Sequence, residues 1–371
     1  MYLLSCNTRY LFLALLFYLS LVGCKSDNHT YKSDGQTQSQ INAIELSDAE
    51  IENIVRRSYQ YVSMYNVNNK GALDTNNPFN TGGWNKTFVQ TELLDHTAKL
   101  IARPNNDTLY VLNSLDLTVE PIILEAPAFD SNYASLQTTG YDHYVNIPLS
   151  SSRKDFDKPT RILFYTARTP NYKGEAVDGV DKVVELDSDF VAAVYRVMPH
   201  SSEPQRLAKI REAVKQVKII GLSQFLGGEK IANTTTETFP AFGRTDADVF
   251  ENNLLEVMQF VFNHNTFDPE NPLDNALLAA YKPLGIVPGQ SFDAGKVAKI
   301  DGKKFRQISE QVKAQALADM ANPQFIAANF DKIFKPKGEM ELDILVFQSV
   351  VGPAGQPFSE ATYPPVLSAD G

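Results

Sequence analysis

Five short β-rich runs between residues 108 and 197, with no helical period between them, constrain the fold most strongly. They cover residues 108–117, 122–124, 133–139, 162–167 and 190–197. Turn signals break the sequence between them, among them Pro127-Ala128-Phe129-Asp130 and Gly140. Short strands without intervening helices favour an antiparallel sandwich or barrel over a parallel βαβ sheet. We therefore expect a mainly β amino-terminal half.

Beyond residue 200 the apolar residues recur at helical spacing. The segments that show this period are 203–217, 246–262, 276–281 and 305–320. A further helix is expected from about Ile51, because Ser47 and Glu50 before it form a capping signal. The tail 341–347 is again β-rich and predicts a terminal strand. The predicted class is α+β, an antiparallel β-sandwich or barrel-like amino-terminal domain with a mainly helical carboxy-terminal part.

The first 24 residues have the organisation of a bacterial lipoprotein signal. Arg9 precedes an apolar run, 10–22, that is too short for a comfortable membrane span. The run ends in the lipobox Leu21-Val22-Gly23-Cys24, where an unhindered thiol receives lipid before cleavage. An uncleaved anchor and an ordinary secreted protein are the alternatives, and the second meets the small-x-small cleavage pattern poorly. We predict a signal peptide at 1–23 and lipid on Cys24.

This anchoring predicts a protein of the cell envelope, held to the outer membrane and facing the periplasm. Residues 24–40 are almost free of apolar side chains and predict a flexible tether. The globular part is divided into a β-rich domain at 41–200 and a mainly helical region at 201–371. Cleavage would also remove Cys6, so the lipidated Cys24 would be the last cysteine and no disulfide could form. The fold must then be stable through its apolar core alone.

Charge and missing motifs exclude several classes of function. The formal net charge is −10, and no cluster of lysines and arginines alternates with aromatic residues, so nucleic acid is not expected as a partner. We expect the lipid on Cys24 to attach the protein to the membrane, because the globular part has no basic surface for anionic lipids. The sequence contains no Gly-x-Ser-x-Gly, P-loop, Gly-x-Gly-x-x-Gly or His-Glu-x-x-His motif. It therefore predicts neither a cofactor nor a metal.

Several stretches resemble the bacterial family called domain of unknown function 1254. They are Arg103-Pro104-Asn105-Asn106-Asp107-Thr108-Leu109-Tyr110, residues 115–121, Tyr133-Ala134-Ser135-Leu136-Gln137, residues 281–289 and Ala361-Thr362-Tyr363-Pro364. The resemblance runs from about residue 51 to residue 367 and is most specific around Arg103. It implies a β-rich amino-terminal domain with helical additions and no agreed activity.

The resemblance also implies a partner. Many relatives continue into a further β domain, domain of unknown function 1214, at the point where this sequence ends in Asp370-Gly371. Either a companion β-domain chain is a separate polypeptide, or the reading frame is truncated.

The turn around Arg103 is the main candidate for chemistry. Arg103 would act as a bidentate donor to a carboxylate or polar ligand, and Asp107 would orient the ligand or act as a base. The catalytic candidates are Arg103, Asp107 and His143, and the ligand-binding candidates are Asn105, Tyr110, Gln137 and Tyr141. The alternative is structural: an Asx turn that caps its own backbone, a local Arg103–Asp107 ion pair, and a solvated loop after Gly140.

Glu92, Asp95 and His96 have a spacing that could hold a metal on one helical turn, although such a group is more often a solvated helix face. Two functions remain open. The first is a binding or accessory module for a small molecule that is still unknown. The second is a hydrolase or isomerase acting on a small amphipathic compound. They differ in whether Arg103, Asp107 and His143 meet in one cavity.

Overall fold

The structure is a computed structural model that describes residues 44–95, 105–231, 236–352, 355–357 and 360. Residues 41–371 form one compact unit. The predicted signal peptide and the whole tether, with Cys24, lie outside the described residues, as do Arg103 and His96. The division of the globular part at residue 200 stays a prediction.

The secondary structure changes from strands to helices along the chain, after one long helix at the start. The strands are β1 (Lys86–Gln90), β2 (Leu109–Asp116), β3 (Ile122–Ala126), β4 (Ala134–Thr139), β5 (Pro148–Ser150), β6 (Thr160–Tyr165), β7 (Lys182–Glu185), β8 (Phe190–Val197) and β9 (Lys218–Gly221). The helices are α1 (Asp48–Leu73), α2 (Pro204–Val214), α3 (Leu222–Phe225), α4 (Asp246–Asn252), α5 (Leu254–His264), α6 (Pro272–Tyr281), α7 (Gly302–Met320), α8 (Pro323–Asn329) and α9 (Leu342–Val351).

The strands form two open sheets that share one apolar core. One sheet has the order β1-β2-β8-β4-β5 and is antiparallel throughout, whereas the other has the order β7-β6-β3-β9 with a parallel β6–β7 pair. Side chains of both sheets meet in a single buried cluster that includes Val111, Leu136, Tyr195, Leu124 and Phe164. The α+β class and the sandwich are thus confirmed, and the sheets do not close into a barrel.

Helix α1 begins at a capping box and forms the centre of the helical part. The Glu50 backbone N–H donates to Ser47 Oγ at 3.3 Å, and the Ser47 N–H donates to a Glu50 carboxylate oxygen at 2.8 Å. The apolar stripe of α1 packs on α4, α5, α6, α7 and α9. Phe190 from β8 and Tyr141 from the loop after β4 enter the same cluster. The end of the sheet where these two residues lie is therefore fixed against the helices.

The predicted terminal strand at 341–347 is wrong, because these residues lie mostly in helix α9. A short apolar run does not distinguish a buried helix from a buried strand. Residues 344–349 are all buried, because α9 lies between α1 and α7 and its apolar side chains face neighbours on several sides. No helix in the described part of the chain is long and apolar enough to cross a membrane.

Candidate functional site

The described part of the turn before β2 is an Asx turn that caps its own backbone, which is the structural alternative to a ligand-binding turn. Asp107 N–H donates to Asn105 Oδ1 at 2.7 Å, which is an Asx turn. Asn105 N–H donates to the Tyr110 hydroxyl at 3.2 Å. The side chain of Asp107 is exposed. Asn105 and Tyr110 therefore shape the turn, and the proposed pairing of Asp107 with Arg103 lies outside the described residues.

The structure does not bring Asp107 and His143 together. Val197 on β8 is opposite both Leu109 on β2 and Ala134 on β4, so Asp107 lies at that end of the sheet. The chain reaches His143 only after running the length of β4, and five strand residues span roughly 16 Å. The two candidates thus lie at opposite ends of the five-stranded sheet.

Gln137 and Tyr110 lie close together, because both contact Arg196. Arg196 Nη1 donates to Gln137 Oε1 at 3.2 Å, and its guanidinium lies 5.7 Å from the centre of the Tyr110 ring. The Gln137 amide donates to the backbone oxygen of Gly355 at 2.7 Å. The carboxy-terminal segment thus covers Gln137, which is 1% exposed. Through these contacts Gln137 and Arg196 connect the five-stranded sheet to the segment around Gly355.

His143 and Tyr141 are buried in the junction between sheet and helices. His143 is fully buried, its Nδ1 lies 2.9 Å from Ser349 Oγ on α9, and its φ is 64°. Burial lowers the pKa of His143 to about 3, so the imidazole is neutral. The Tyr141 ring lies 5.4 Å from that of Tyr65 on α1. His143 contacts α9 and Tyr141 contacts α1, so the loop after β4 packs against both helices.

We expect His143→Asn to change how stability depends on pH. Burial depresses the folded-state pKa, so the histidine contributes stability above its ordinary value of 6.5 and loses it as the pH falls toward 3. Below pH 6 the wild type should therefore lose about 1.4 kcal/mol per pH unit relative to the variant. Asparagine is chosen because it tolerates the left-handed backbone. Urea unfolding from pH 4 to pH 7 measures the difference, and a difference that does not vary with pH would contradict the neutral buried histidine.

The loop after β4 leads into a buried group of charges, which we name the Lys337 cluster: Lys337, Asp142, Asp187 and Asp274. Lys337 Nζ lies 3.1 Å from an Asp187 carboxylate oxygen, 3.5 Å from Asp274 Oδ2 and 3.8 Å from Asp142 Oδ2. It also donates to the backbone oxygen of Thr266 at 2.8 Å. One cation thus faces three carboxyl groups at the place where the sheet end, α6 and the segment before α9 meet.

Burial and mutual repulsion govern protonation in this cluster. Burial, with repulsion from Asp187 and Asp274, raises the pKa of Asp142 to about 7 against the attraction of Lys337. Burial likewise raises the pKa of Asp274. Burial acts to lower the pKa of Lys337, but the three carboxyl groups outweigh it and raise that pKa. Lys337 is therefore cationic at neutral pH, and Asp142 exchanges a proton there.

Several buried polar atoms around the cluster complete no hydrogen bond. They are Gln60 Oε1, Asp142 Oδ2, Asp274 Oδ1, the Tyr144 hydroxyl and Asn271 Nδ2. All five side chains belong to residues that are at most 5% exposed. An unfilled hydrogen-bonding group in such a position costs about 1–3 kcal/mol. Gln60 Oε1 is an acceptor only, and the oxygens of Asp142 and Asp274 are acceptors when these groups are ionised, so a partner that donates is favoured here.

A small pocket adjoins these atoms on the α1 side. Its cavity volume is about 10 Å³, which is room for roughly one water molecule. We name it the Arg57 pocket; its lining residues are Arg57, Gln60, Tyr61, Leu273, Leu277, Leu342 and Leu345. Arg57 donates from Nε to Asn53 at 2.9 Å, but its Nη1 is buried and has no hydrogen-bond partner. Burial lowers the pKa of Arg57.

Tyr61 links the pocket to the Lys337 cluster. Its ring is 2% exposed and lines the pocket. Burial raises its pKa, and the charges of Asp274, Tyr144 and Asp142 raise it further, so these groups are close neighbours. A ligand in the pocket would therefore meet an apolar wall, an unpaired guanidinium N–H and the edge of a negatively charged buried region.

Sequence reasoning did not identify these residues. Of the loop after β4 it singled out only Tyr141 and His143, and from the first helix it singled out no side chain for function. The signal available was the run Asp187-Ser188-Asp189 directly before an apolar strand, where buried carboxylates need partners. Among the described residues no group of His, Cys, Asp or Glu side chains is arranged to hold a metal. Glu92, one of the suggested ligands, instead pairs with Arg211 at 2.5 Å.

Comparisons with known proteins bear on the fold. A family model described as "Protein of unknown function (DUF1254)" matches residues 84–221, which confirms the predicted resemblance over that segment. The VPA0106 protein from Vibrio parahaemolyticus is similar in structure, with 22% identity, a TM-score of 0.59, and coverage of 84% of this chain and 68% of that chain. This likeness shows the fold alone.

A second solved structure is an uncharacterized protein from Burkholderia cenocepacia, with 12% identity and a TM-score of 0.29. It covers 74% of this chain and 58% of that chain, and a likeness at that score carries no argument about fold or function. No curated protein gives a significant match to this chain.

Proposed function

We propose that this chain, a member of the DUF1254 family over residues 84–221, binds a small zwitterionic compound with an apolar side chain, such as an α-amino acid. One observation carries the proposal. Arg57 and Gln60 both line the Arg57 pocket, and each has a buried polar atom without a hydrogen-bond partner, the donor Arg57 Nη1 and the acceptor Gln60 Oε1.

The spacing of these two groups fits an α-amino acid. Arg57 and Gln60 are three residues apart on α1, so their side chains leave the same face of the helix about 5–6 Å apart at Cβ. A ligand's carboxylate would accept from Arg57, since guanidinium groups match carboxylates well. Its ammonium would donate to Gln60 Oε1 only a few ångströms away.

The Lys337 cluster favours the ammonium group at the inner side of the pocket. Three carboxyl groups face the single amine of Lys337, so the buried region contains more acidic than basic groups. A cation near Tyr61 is therefore attracted, and the effect is strong because the region is poorly screened. A carboxylate there would be repelled.

The remaining lining residues select an apolar side chain of modest size. Leu273, Leu277, Leu342 and Leu345 form the rest of the wall. The cavity volume of about 10 Å³ has room for roughly one water molecule. A compound of leucine's size can therefore enter only when these leucine side chains move apart.

Titration calorimetry with leucine and two truncated analogues tests the proposal. The analogue 4-methylpentanoate lacks the amino group, and 3-methylbutylamine lacks the carboxylate. Each should bind about tenfold more weakly than leucine or worse, because a hydrogen bond to a charged group contributes about 1.5–3 kcal/mol. Absence of leucine binding, or equally tight binding of 4-methylpentanoate, would refute the proposal.

We also propose where the protein acts. The lipobox ending in Cys24 supports a lipid-anchored envelope protein that faces the periplasm, where small nutrients diffuse past it. A companion β-domain chain remains a proposed partner on the family resemblance. Incorporation of labelled palmitate into the wild type but not into Cys24→Ser tests the anchor, and equal incorporation would refute it.

A further inference from the structure

A second polar group lies beside the Lys337 cluster and shares Thr266 with it. Asp189, which is 2% exposed, accepts from His264 Nδ1 at 3.0 Å and from Thr166 Oγ1 at 2.7 Å. Arg168 Nε lies 3.0 and 2.9 Å from the two Asp189 oxygens, and Arg168 Nη1 donates to Thr266 Oγ1 at 2.8 Å. These bonds fix the carboxylate in position.

The Asp189 contact determines which nitrogen of His264 carries the proton. A carboxylate only accepts, so the neutral imidazole holds its hydrogen at Nδ1 and leaves a lone pair at Nε2. Burial acts to raise the pKa of Asp189, but hydrogen bonds from His264 and Arg168 hold it below its ordinary value, and the group stays ionised. His264 Nε2 lies 3.6 Å from a Glu237 carboxylate oxygen, with 12% of the side chain exposed. A proton taken up at Nε2 would therefore lie between two carboxylates.

Aromatic rings surround this imidazole. The His264 ring lies 4.4 Å from that of Phe260 and 5.1 Å from that of Phe190. Phe239 lies 5.1 Å from Phe260 and stacks on Trp84 at 5.7 Å. Phe190, Phe260 and Trp84 are buried, so these rings form an apolar wall behind the imidazole, of which 12% is exposed.

Two buried N–H donors in the same region have no hydrogen-bond partner. They are Trp84 Nε1 and Asn265 Nδ2. The Trp84 ring lies 4.9 Å from Phe190, which contacts His264, and Asn265 directly follows His264 in the chain. Both atoms are buried, so a carbonyl oxygen could reach them only after this region opened.

The other two histidines in the described residues lack this arrangement. His143 is fully buried against Ser349. His200 accepts at Nε2 from the Asn132 backbone N–H at 3.0 Å, and its Nδ1 lies 3.3 Å from Arg206 Nη1. His264 alone among the three combines an orienting carboxylate with a second nitrogen near the surface.

We infer that His264 is a general base, positioned by Asp189, for the hydrolysis of small esters that reach the exposed edge of its ring. Nε2 takes a proton from water while the water oxygen bonds to the carbonyl carbon and the carbonyl π electrons move to its oxygen. The C–O bond to the alcohol then breaks as the carbonyl re-forms, and the proton on Nε2 passes to the departing oxygen. Ester and water give acid and alcohol, and the imidazole is regenerated.

Hydrolysis of 4-nitrophenyl acetate by the full-length protein in detergent tests this inference. The rate should fall about 10²-fold or more in His264→Gln, as expected for loss of a general base. The wild-type rate should rise with pH as one group deprotonates, and this dependence should be absent in the variant. His200→Gln is the matched control and should keep the wild-type rate and pH profile.

Asp189→Asn tests positioning separately from chemistry. Asparagine can accept from His264 in only one orientation, so the rate should fall while the shape of the pH profile remains. If His264→Gln does not fold, ethoxyformylation of the wild type replaces it: activity should disappear in step with labelling of His264 measured by mass spectrometry. A folded His264→Gln with the wild-type rate, or activity that persists when His264 is fully labelled, overturns the inference.

Discussion

Replacing Lys337 with methionine is expected to lower the free energy of unfolding by about 3–5 kcal/mol at pH 7. The lysine is the cation that faces Asp142, Asp187 and Asp274, and its side chain is 13% exposed. Its removal leaves buried carboxylates without compensation, which is the costly way to break a buried ion group. Methionine keeps the length and apolar character of the stem.

The pH dependence of the Lys337→Met variant distinguishes electrostatics from packing. Carboxyl groups whose pKa is raised in the folded state stabilise it as the pH falls, because the folded state then binds more protons than the unfolded state. Part of the loss should therefore be recovered at pH 5 in urea unfolding. Lys332→Met is the control, since Lys332 is exposed and bonds only to Asn329, and it should change stability by less than about 0.5 kcal/mol. An equal loss in the two variants would contradict the role of the cluster.

Arg168→Met is expected to have an effect of similar size, again about 3–5 kcal/mol. Arg168 contacts both oxygens of Asp189 and donates from Nη2 to the backbone oxygens of Asp187 and His264 at 2.8 and 3.1 Å. Its loss leaves an ionised Asp189 that is 3% exposed and two carbonyl groups without this donor. Chemical unfolding at pH 7 measures the difference.

A surface arginine and a double variant separate the causes. Arg161 pairs with Glu125 at 3.3 Å and is 42% exposed, so Arg161→Met should cost less than about 1 kcal/mol. Adding Asp189→Asn to Arg168→Met removes the unpaired charge and should restore part of the stability. If the double variant is no more stable than Arg168→Met, the buried charge is not the cause of the loss.

The sequence predicted the central strands of the two sheets but not their edge strands. All five β-rich runs correspond to strands, namely β2, β3, β4, β6 and β8, whose side chains fill the shared core. The four strands without a prediction, β1, β5, β7 and β9, are the outer strands of the two sheets. Edge strands are short and carry charged residues, as Lys182 in β7 and Lys218 in β9 do, so they lack the composition that reveals a buried strand.

The error at α9 has a related cause. Its sequence is rich in β-branched and apolar residues, and a fully buried helix loses the polar face that would reveal its period. Only tertiary neighbours, α1 and α7, decide the conformation. Propensity is a weak signal in such a segment, since packing overrides it.

The sequence could not predict the candidate site, because the residues that form it are far apart in the chain. Gln60 lies on α1, Asp142 after β4, Asp274 on α6 and Lys337 before α9. No local motif connects these positions. The sequence-based candidates clustered instead around a turn whose described residues bond to one another, as Asp107 does to Asn105.

The affinity for leucine of Leu273→Trp tests the proposed binding site most directly. Leu273 lines the Arg57 pocket and is partly exposed, so a larger ring at this position would obstruct the opening through which leucine has to enter. The matched control is Leu278→Trp, on the same helix and equally partly exposed but not lining the pocket. Titration calorimetry should show leucine binding to the wild type and to Leu278→Trp with the same Kd, and at least tenfold weaker binding to Leu273→Trp. Unchanged binding in a folded Leu273→Trp variant would contradict the assignment of the pocket.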